Sequence, residues 1–307
     1  MIQCARILSV HKTIFWAAPQ SPIQGMPPVA LQAAFNRRNQ EPLGCTVGDW
    51  VEYDTQQAEP FPILRLLPRK NVFWRPGPTH RKQKSLAIAA NIDQVIGVVA
   101  IEQPPLNLGF MYRLYLRAAS MGVPLTLLVN KMDLVSEIPG ELNYLKNLGY
   151  PLICLSIQKG EEFDSLVSRL QGKTSVLVGL SGAGKSTLIQ KVFPHIQTLV
   201  ATVREGIGKG RHTTTCSTLF TLDESTHIID TPGLKELGIH DLEEPDWETV
   251  FPELKSIEGQ CRFSDCSHGS EPGCALNALV SNQYMPQNRF LAYTKLLSEW
   301  QEGKSGF

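Results

Sequence analysis

The chain has 307 residues, enough for two or three domains, and its 29 basic and 29 acidic side chains cancel. Balanced charge excludes whole-molecule attraction to nucleic acid or a membrane surface, so any such site must be a local cluster. Apolar runs such as Val98–Ile101 fall far short of the roughly 20 residues a membrane helix needs, and Arg6, His11 and Lys12 interrupt any leader-like stretch.

Seven cysteines, an odd number with three of them between Cys261 and Cys274, favour a metal site in a reducing compartment over a disulfide framework. The cytoplasm is the expected location. Residues 1–40 carry turns at Pro19, Pro22, Pro27 and Pro28 and show no clear periodicity. Beyond them, Cys45–Tyr53 and Ile63–Leu67 read as short strands between Gly, Pro and polar turns, the texture of a small β-barrel, with the oligonucleotide-binding (OB) fold one candidate and an irregular arm the alternative. Arg65, Arg69, Lys70, Arg75, Arg81, Lys82 and Lys84 surround Phe73 and Trp74. That cluster reads either as a phosphate-binding stripe or as a solvated face over two core aromatics.

From Gln94 to Gly233, short apolar runs alternate with amphipathic stretches, as in an α/β domain with a parallel sheet. The expected strands are Val95–Ile101, Leu125–Val129, Leu152–Leu155, Ser175–Val178, Thr218–Leu222 and His227–Ile229, and the expected helices Gly109–Met121, Glu141–Leu148, Glu161–Leu170 and Lys185–Val192. Nucleotide-type motifs follow several of these strands, where ligands collect in open α/β sheets.

The first is Asn130-Lys131-Met132-Asp133, an NKxD. The Asp133 carboxylate can accept from both the ring N–H and the exocyclic amine of guanine, a pattern adenine cannot offer. Ser156, after the next strand, occupies the place of a guanine-loop serine, although Gln158 stands where a lysine is usual and Lys159 is displaced by one residue. Gly179-Leu180-Ser181-Gly182-Ala183-Gly184-Lys185-Ser186, followed by Thr187, is a phosphate loop between strand and helix. Its backbone N–H groups and the helix N-terminus suit phosphate, Lys185 suits the β and γ phosphates, and the Ser186 hydroxyl suits Mg²⁺. Next come the glycine-rich loop and threonine run Gly208–Thr215, one threonine of which would complete Mg²⁺ coordination, and then Asp230-Thr231-Pro232-Gly233. In the latter, Asp230 would hold Mg²⁺ through water and the Gly233 N–H would sense the γ phosphate.

An acidic, loop-like stretch from His240 to Asp246 leads to Cys261, Cys266, His268 and Cys274, spaced C-x4-C-x-H-x5-C. Four such ligands suit a closed, structural tetrahedral Zn²⁺. A last helix is expected over Gln287–Gln301.

The order of the motifs is unusual: the base-reading NKxD precedes the phosphate loop, the reverse of a Ras-like GTPase. With Gly210–Thr215, Ala90–Gln94 and Cys261–His268, this order makes the chain resemble, from about Val47 to about Trp300, the ribosome small subunit-dependent GTPase family (RsgA, also called YjeQ). The resemblance implies an OB-fold RNA-binding barrel over 1–87, a circularly permuted Ras-like P-loop GTPase domain over 88–240 and a helical zinc-binding domain over 241–307. It also implies a GTP hydrolase using Mg²⁺ and carrying one Zn²⁺, a monomer without membrane association, acting in late maturation of the small (30S) subunit and its rRNA, and stimulated by that subunit. His212 matches the family's candidate for orienting the hydrolytic water, since Leu234 stands where a Ras-like enzyme has a glutamine. The alternatives are a nucleotide-switched RNA- or ribosome-binding module and a permuted GTPase of the large subunit.

Overall fold

The structure, a computed structural model, describes all residues except 12, 21–26, 34–43, 76–84, 161–162, 193–216, 235–236, 269–270 and 306–307. His212, the loop Gly208–Thr215, and Arg81, Lys82 and Lys84 therefore lie outside the described residues.

Five strands come first: β1 (Ile2–His11), β2 (Ile14–Pro19), β3 (Val29–Ala33), β4 (Trp50–Asp54) and β5 (Phe61–Leu66). They pair in the order β1-β2-β3-β5-β4, and β4 returns to β1, closing a five-stranded barrel whose single parallel pair is β3–β5. Ala5, Ile7, Phe15, Ala17, Leu31, Val51, Tyr53 and Ile63 fill it. A hairpin of β6 (Val72–Arg75) and β7 (Leu86–Ala90) leads out of it.

The α/β layer follows, with strands β8 (Gln94–Ala100), β9 (Leu125–Asn130), β10 (Leu152–Cys154), β11 (Thr174–Gly179), β12 (Thr218–Thr221) and β13 (His227–Asp230) in the order β10-β9-β8-β11-β13-β12. All are parallel to their neighbours except β12, which runs antiparallel to β13. Every residue of β8, β9 and β11 is buried, which is why these strands read as continuous apolar runs without alternation.

Helices cover both faces. On one lies α1 (Leu108–Ser120), capped at its start by the Asn107 side chain, which accepts from the Phe110 N–H. On the other, α3 (Phe163–Leu170) and α4 (Lys185–Val192) bury Leu166, Leu170, Leu188 and Ile189 against Ile96 and Val98; α2 (Gly140–Asn147) buries Leu142 and Leu145 on the α1 side. Of the C-terminal helices α5 (Trp247–Val250), α6 (Glu253–Ser256), α7 (Ala275–Ser281) and α8 (Gln287–Ser305), α5 and α8 pack onto α1, and α6 and α7 join the same apolar cluster. No helix among the described residues is long and apolar enough to cross a membrane.

Two seams join these layers. Strand β1 pairs with β12 at Ser9–Thr218, so barrel and α/β layer share one sheet, and the Arg6 guanidinium donates to Thr174 Oγ1 at 2.9 Å. On the opposite side, Arg289 of α8 donates to both Glu253 oxygens (2.5 and 2.8 Å) and to Tyr150 Oη (3.0 Å). Its guanidinium also faces the rings of Tyr112 and Phe251. Arg289 is 1 % exposed, and burying such a charge is tolerable only with this paired, hydrogen-bonded surround.

Among the described residues of the basic cluster at the barrel exit, three cations are paired. Arg69 forks onto the fully buried Asp49 carboxylate (2.7 Å), Lys70 pairs with Asp93 (2.7 Å) and Arg65 with Glu52 (2.7 Å). Phe73 is core and Trp74 is exposed. Of the described cationic members, Arg69 is a structural fastener: Asp49 also accepts from the Thr46 N–H, so the pair shapes the turn into β4.

Candidate guanine-nucleotide and metal sites

The motif loops meet at one edge of the α/β layer. Strand β8 lies between β9, which ends in Asn130, and β11, which ends in Gly179, while β13 flanks β11 and ends in Asp230. Parallel strands end on the same side, so motifs separate in sequence emerge side by side.

Asn130 is the joint. It is buried; its Nδ2 donates to the Ala183 carbonyl (2.9 Å) and its Oδ1 accepts from the Ile157 N–H (3.0 Å). One side chain thus links the base-reading motif, the phosphate loop and the Ser156 loop. Gly184 makes that contact possible: its φ is +107°, and a Cβ there would lie 2.3 Å from Asn130 Nδ2. Lys131, in the left-handed region at φ 65°, donates its Nζ to the Gln103 carbonyl.

Ser156 is buried and donates its hydroxyl to Asp133 Oδ1 at 2.5 Å. That bond, with help from Lys159 and Lys131, holds the exposed Asp133 carboxyl below the usual carboxylate range, so it is an anionic acceptor at neutral pH.

Lys185 opens α4 and is 7 % exposed, with Nζ donating to the carbonyls of Gly179 (2.8 Å) and Leu180 (3.2 Å). Burial lowers its pKa, and the Asp230 charge opposes that shift. A buried ammonium held only by carbonyls and a nearby carboxylate is suited to receive anionic oxygens. Ser181, Ser186 and Thr187 are exposed at the loop and the first turn of α4, and Ala183 is fully buried beneath them. Asp230 is buried at the end of β13, and the Thr231 hydroxyl donates to the Leu177 carbonyl (2.6 Å). Ser186 and Asp230 are hard oxygen donors of the kind Mg²⁺ takes. Gly233 closes on the phosphate loop: a Cβ there would lie 3.0 Å from Ser181 Cα. Leu234 bridges to Leu180, donates its N–H to the Gly179 carbonyl (3.2 Å) and is 2 % exposed, so its side chain faces core and not a water.

The second centre is in the C-terminal part. One ligand atom each from Cys261, Cys266, His268 and Cys274 lies within 4.8 Å of every other. Around a tetrahedral zinc with bonds of about 2.3 Å, neighbouring sulfurs sit about 3.8 Å apart, so the set fits with a small contraction. His268 Nδ1 lies 3.4 Å from Cys261 Sγ and 3.8 Å from Cys274 Sγ, with His268 itself at φ 60°, and the Ala275 N–H at the start of α7 donates to Cys261 Sγ (3.3 Å). Burial, with the two neighbouring thiols adding, pushes the Cys266 thiol up to about 12. Crowded thiols of this kind ionise on meeting a divalent cation.

A family model described as RsgA GTPase matches residues 66–240, more than half of the chain. The chain belongs to the RsgA GTPase family. It is 35% identical over 265 residues to the small ribosomal subunit biogenesis GTPase RsgA of Bacteroides fragilis, covering 84% of each chain. The protein of the same name from Cytophaga hutchinsonii is 37% identical over 261 residues, which are 83% of this chain and 85% of that one. Among solved structures, YjeQ from Thermotoga maritima matches with a TM-score of 0.67 at 27% identity, covering 98% of this chain and 99% of that one. YloQ, described as a circularly permuted GTPase, matches in fold with a TM-score of 0.66 at 21% identity, covering 98% and 96%.

Membership in the RsgA family accounts for the two features that set this enzyme apart, a GTPase sheet in which the NKxD strand precedes the phosphate-loop strand and a barrel in front of it. The protein is a GTP-hydrolysing enzyme with a circularly permuted Ras-like P-loop fold. Several members of the site carry no legible sequence signal. The Ile157 N–H and the Gln103 carbonyl are backbone groups, and Lys191 of α4, which donates to the Gln158 carbonyl at 2.6 Å, is one exposed lysine among many. The Gln103-Pro104-Pro105 turn directly after an apolar run was the one available hint.

Proposed function

We propose that this RsgA-family GTPase is a late assembly factor of the small (30S) ribosomal subunit, that it binds the rRNA of that subunit, and that the subunit stimulates its GTP hydrolysis. The observation that carries this reading is the 35% identity, over 84% of both chains, to a relative named for small ribosomal subunit biogenesis. Steady-state GTP turnover of the purified protein with and without small subunits tests it.

In this reading Asp133 and Ser156 read guanine, Asn130 and Lys131 brace the base side, and Gly179, Ser181, Gly182, Ala183, Gly184, Lys185 and Thr187 cradle the phosphates. Ser186 and Asp230 would hold Mg²⁺, which would supply charge neutralisation for the phosphate oxygens, and the Gly233 N–H would sense the γ phosphate. His212 orients the attacking water. Cys261, Cys266, His268 and Cys274 hold one structural Zn²⁺; their mutual distances support this, and a closed four-ligand set supplies folding energy without an open catalytic position. Segments 1–87, 88–240 and 241–307 act as RNA-binding, GTPase and zinc-binding units of a cytoplasmic monomer.

One observation favours a second reading, in which nucleotide chiefly switches affinity for the ribosome. Leu234 is sealed in the core, so the segment after Asp230 offers no side chain to a water at that place. The same turnover experiment separates the two, because only the first requires large stimulation.

A further inference from the structure

The turn after β8 sits between the two halves of the nucleotide site. Residues 101–107 emerge where β8 ends, with the NKxD strand β9 on one side and the phosphate-loop strand β11 on the other. The turn is tied to both. Its first residue, Ile101, donates its N–H to the Asn130 carbonyl (2.9 Å), and Leu106 donates back to the Ile101 carbonyl (3.1 Å). Gln103 stands in the left-handed region at φ 54°, where only a few per cent of residues other than glycine are found. In that conformation its carbonyl accepts from Lys131 Nζ. The next residue, half-buried Pro104, places its Cδ 3.6 Å from where a Cβ on Gly182 would stand, so its ring faces the backbone of the phosphate loop.

We propose that Gln103–Pro104 is a positioning element of the guanine-nucleotide site, a wedge that fixes Lys131 and Gly182 relative to each other. The carbonyl of Gln103 holds Lys131 Nζ, and the Pro104 ring stands beside the phosphate loop at Gly182. A rigid wedge reduces the ordering that nucleotide binding must otherwise impose on two separate loops. Because the hydrogen bond uses a backbone carbonyl, it survives changes of the Gln103 side chain, and the side-chain-dependent part of the wedge is the ring of Pro104. This inference rests on the assignment of 130–133 and 179–186 as the nucleotide site.

The test is GTP hydrolysis and GDP titration on the full chain, with Pro104→Ala, Pro104→Val and Lys131→Met, singly and with Pro104→Ala and Lys131→Met combined, alongside melting without nucleotide. A ground-state positioning role predicts that Pro104→Ala raises KM for GTP about three- to ten-fold with kcat nearly unchanged. It predicts a similar rise for Pro104→Val, which likewise has no Cδ to set against Gly182. The double variant should lose less than the product of the single losses, because both substitutions release one strut. An unchanged KM in Pro104→Ala, a loss confined to kcat, or independent effects of the two substitutions would overturn the proposal. Should Pro104→Ala fail to fold, Pro104→Val together with the Lys131→Met cycle still decides it. If the parent protein binds no guanine nucleotide, the site assignment itself falls and the wedge with it; if the parent binds and the variants match it, only the wedge falls.

Discussion

The buried Asn130 carboxamide donates to the Ala183 carbonyl at 2.9 Å, so the residue that opens the base-reading motif is also a fastener of the phosphate loop. Gly184 lies against the same amide. Replacing Gly184 with Ala sets a Cβ 2.3 Å from Asn130 Nδ2 in a backbone conformation that L residues rarely adopt. The expected cost is about 1 to 3 kcal/mol of local strain, with GDP affinity lowered at least ten-fold. Isothermal titration with GDP, beside a thermal melt, measures both.

The Ser156 hydroxyl donates to Asp133 and lowers its pKa, and in the proposed site this carboxylate accepts two hydrogen bonds from guanine. Asp133→Asn replaces one acceptor by a donor, which leaves a guanine donor unpaired and matches the extra carbonyl of xanthine. Guanine nucleotides should weaken by about 1 to 3 kcal/mol and xanthine nucleotides should strengthen. Competition between GDP and XDP for a fluorescent analogue reads the exchange.

The Arg289–Glu253 pair holds the C-terminal helices to the α/β layer through Tyr150 and Tyr112. Removing one partner leaves a charge buried alone, so Arg289→Ala should cost about 3 to 5 kcal/mol in denaturant unfolding. Burial pushes Glu253 up, but the Arg289 hydrogen bond and charge outweigh it and hold its carboxyl below the usual range. A carboxyl depressed in the folded state contributes stability above the unfolded value near 4.3 and loses it as pH falls through the lower folded value. Glu253→Gln should flatten that acid limb.

His227 behaves oppositely in charge but alike in direction. Burial first, then the Arg6 charge, lower its pKa to about 4, and its Nδ1 lies 3.2 Å from Thr221 Oγ1. Between about 6.5 and 4 the unfolded chain binds the proton that the folded chain refuses, so stability declines across this window as pH falls. His227→Gln should remove this part of the decline, which melting temperatures from pH 7 to 4 would reveal.

The legible parts of the site were those in which chemistry demands particular residues at fixed spacing. Asn130–Asp133, Gly179–Ser186 and Asp230–Gly233 could be read because strands β9, β11 and β13 carry short apolar runs that end directly at the motif. The strands β1 to β3 were not legible. Strand β1 changes register between Ile7 and Ser9, which breaks its alternation, and its outward Arg6 is buried under the α/β layer where a solvent-facing residue would be expected. Arg69 misleads for a similar reason: its partner Asp49 lies 20 residues away and inside the fold, so a structural ion pair looks in one dimension like part of a basic patch. The short helices α5 to α7 span four to seven residues, too short for a period to declare itself.

Zinc content follows from the Cys261, Cys266, His268, Cys274 cluster. Metal analysis should find about one zinc per chain, and strong chelation or Cys261→Ser should unfold the segment leading into α7, detected as loss of amide-exchange protection around residues 261–281. Protection of β8 to β11 should persist, since one face of these strands packs in a cluster that contains no residue of 261–281.

Steady-state GTP turnover with and without purified small ribosomal subunits addresses the central claim most directly. The account predicts slow turnover alone and stimulation by orders of magnitude on adding small subunits, lost in Lys185→Ala. Equal turnover in both conditions, or equal stimulation by large subunits, would contradict it.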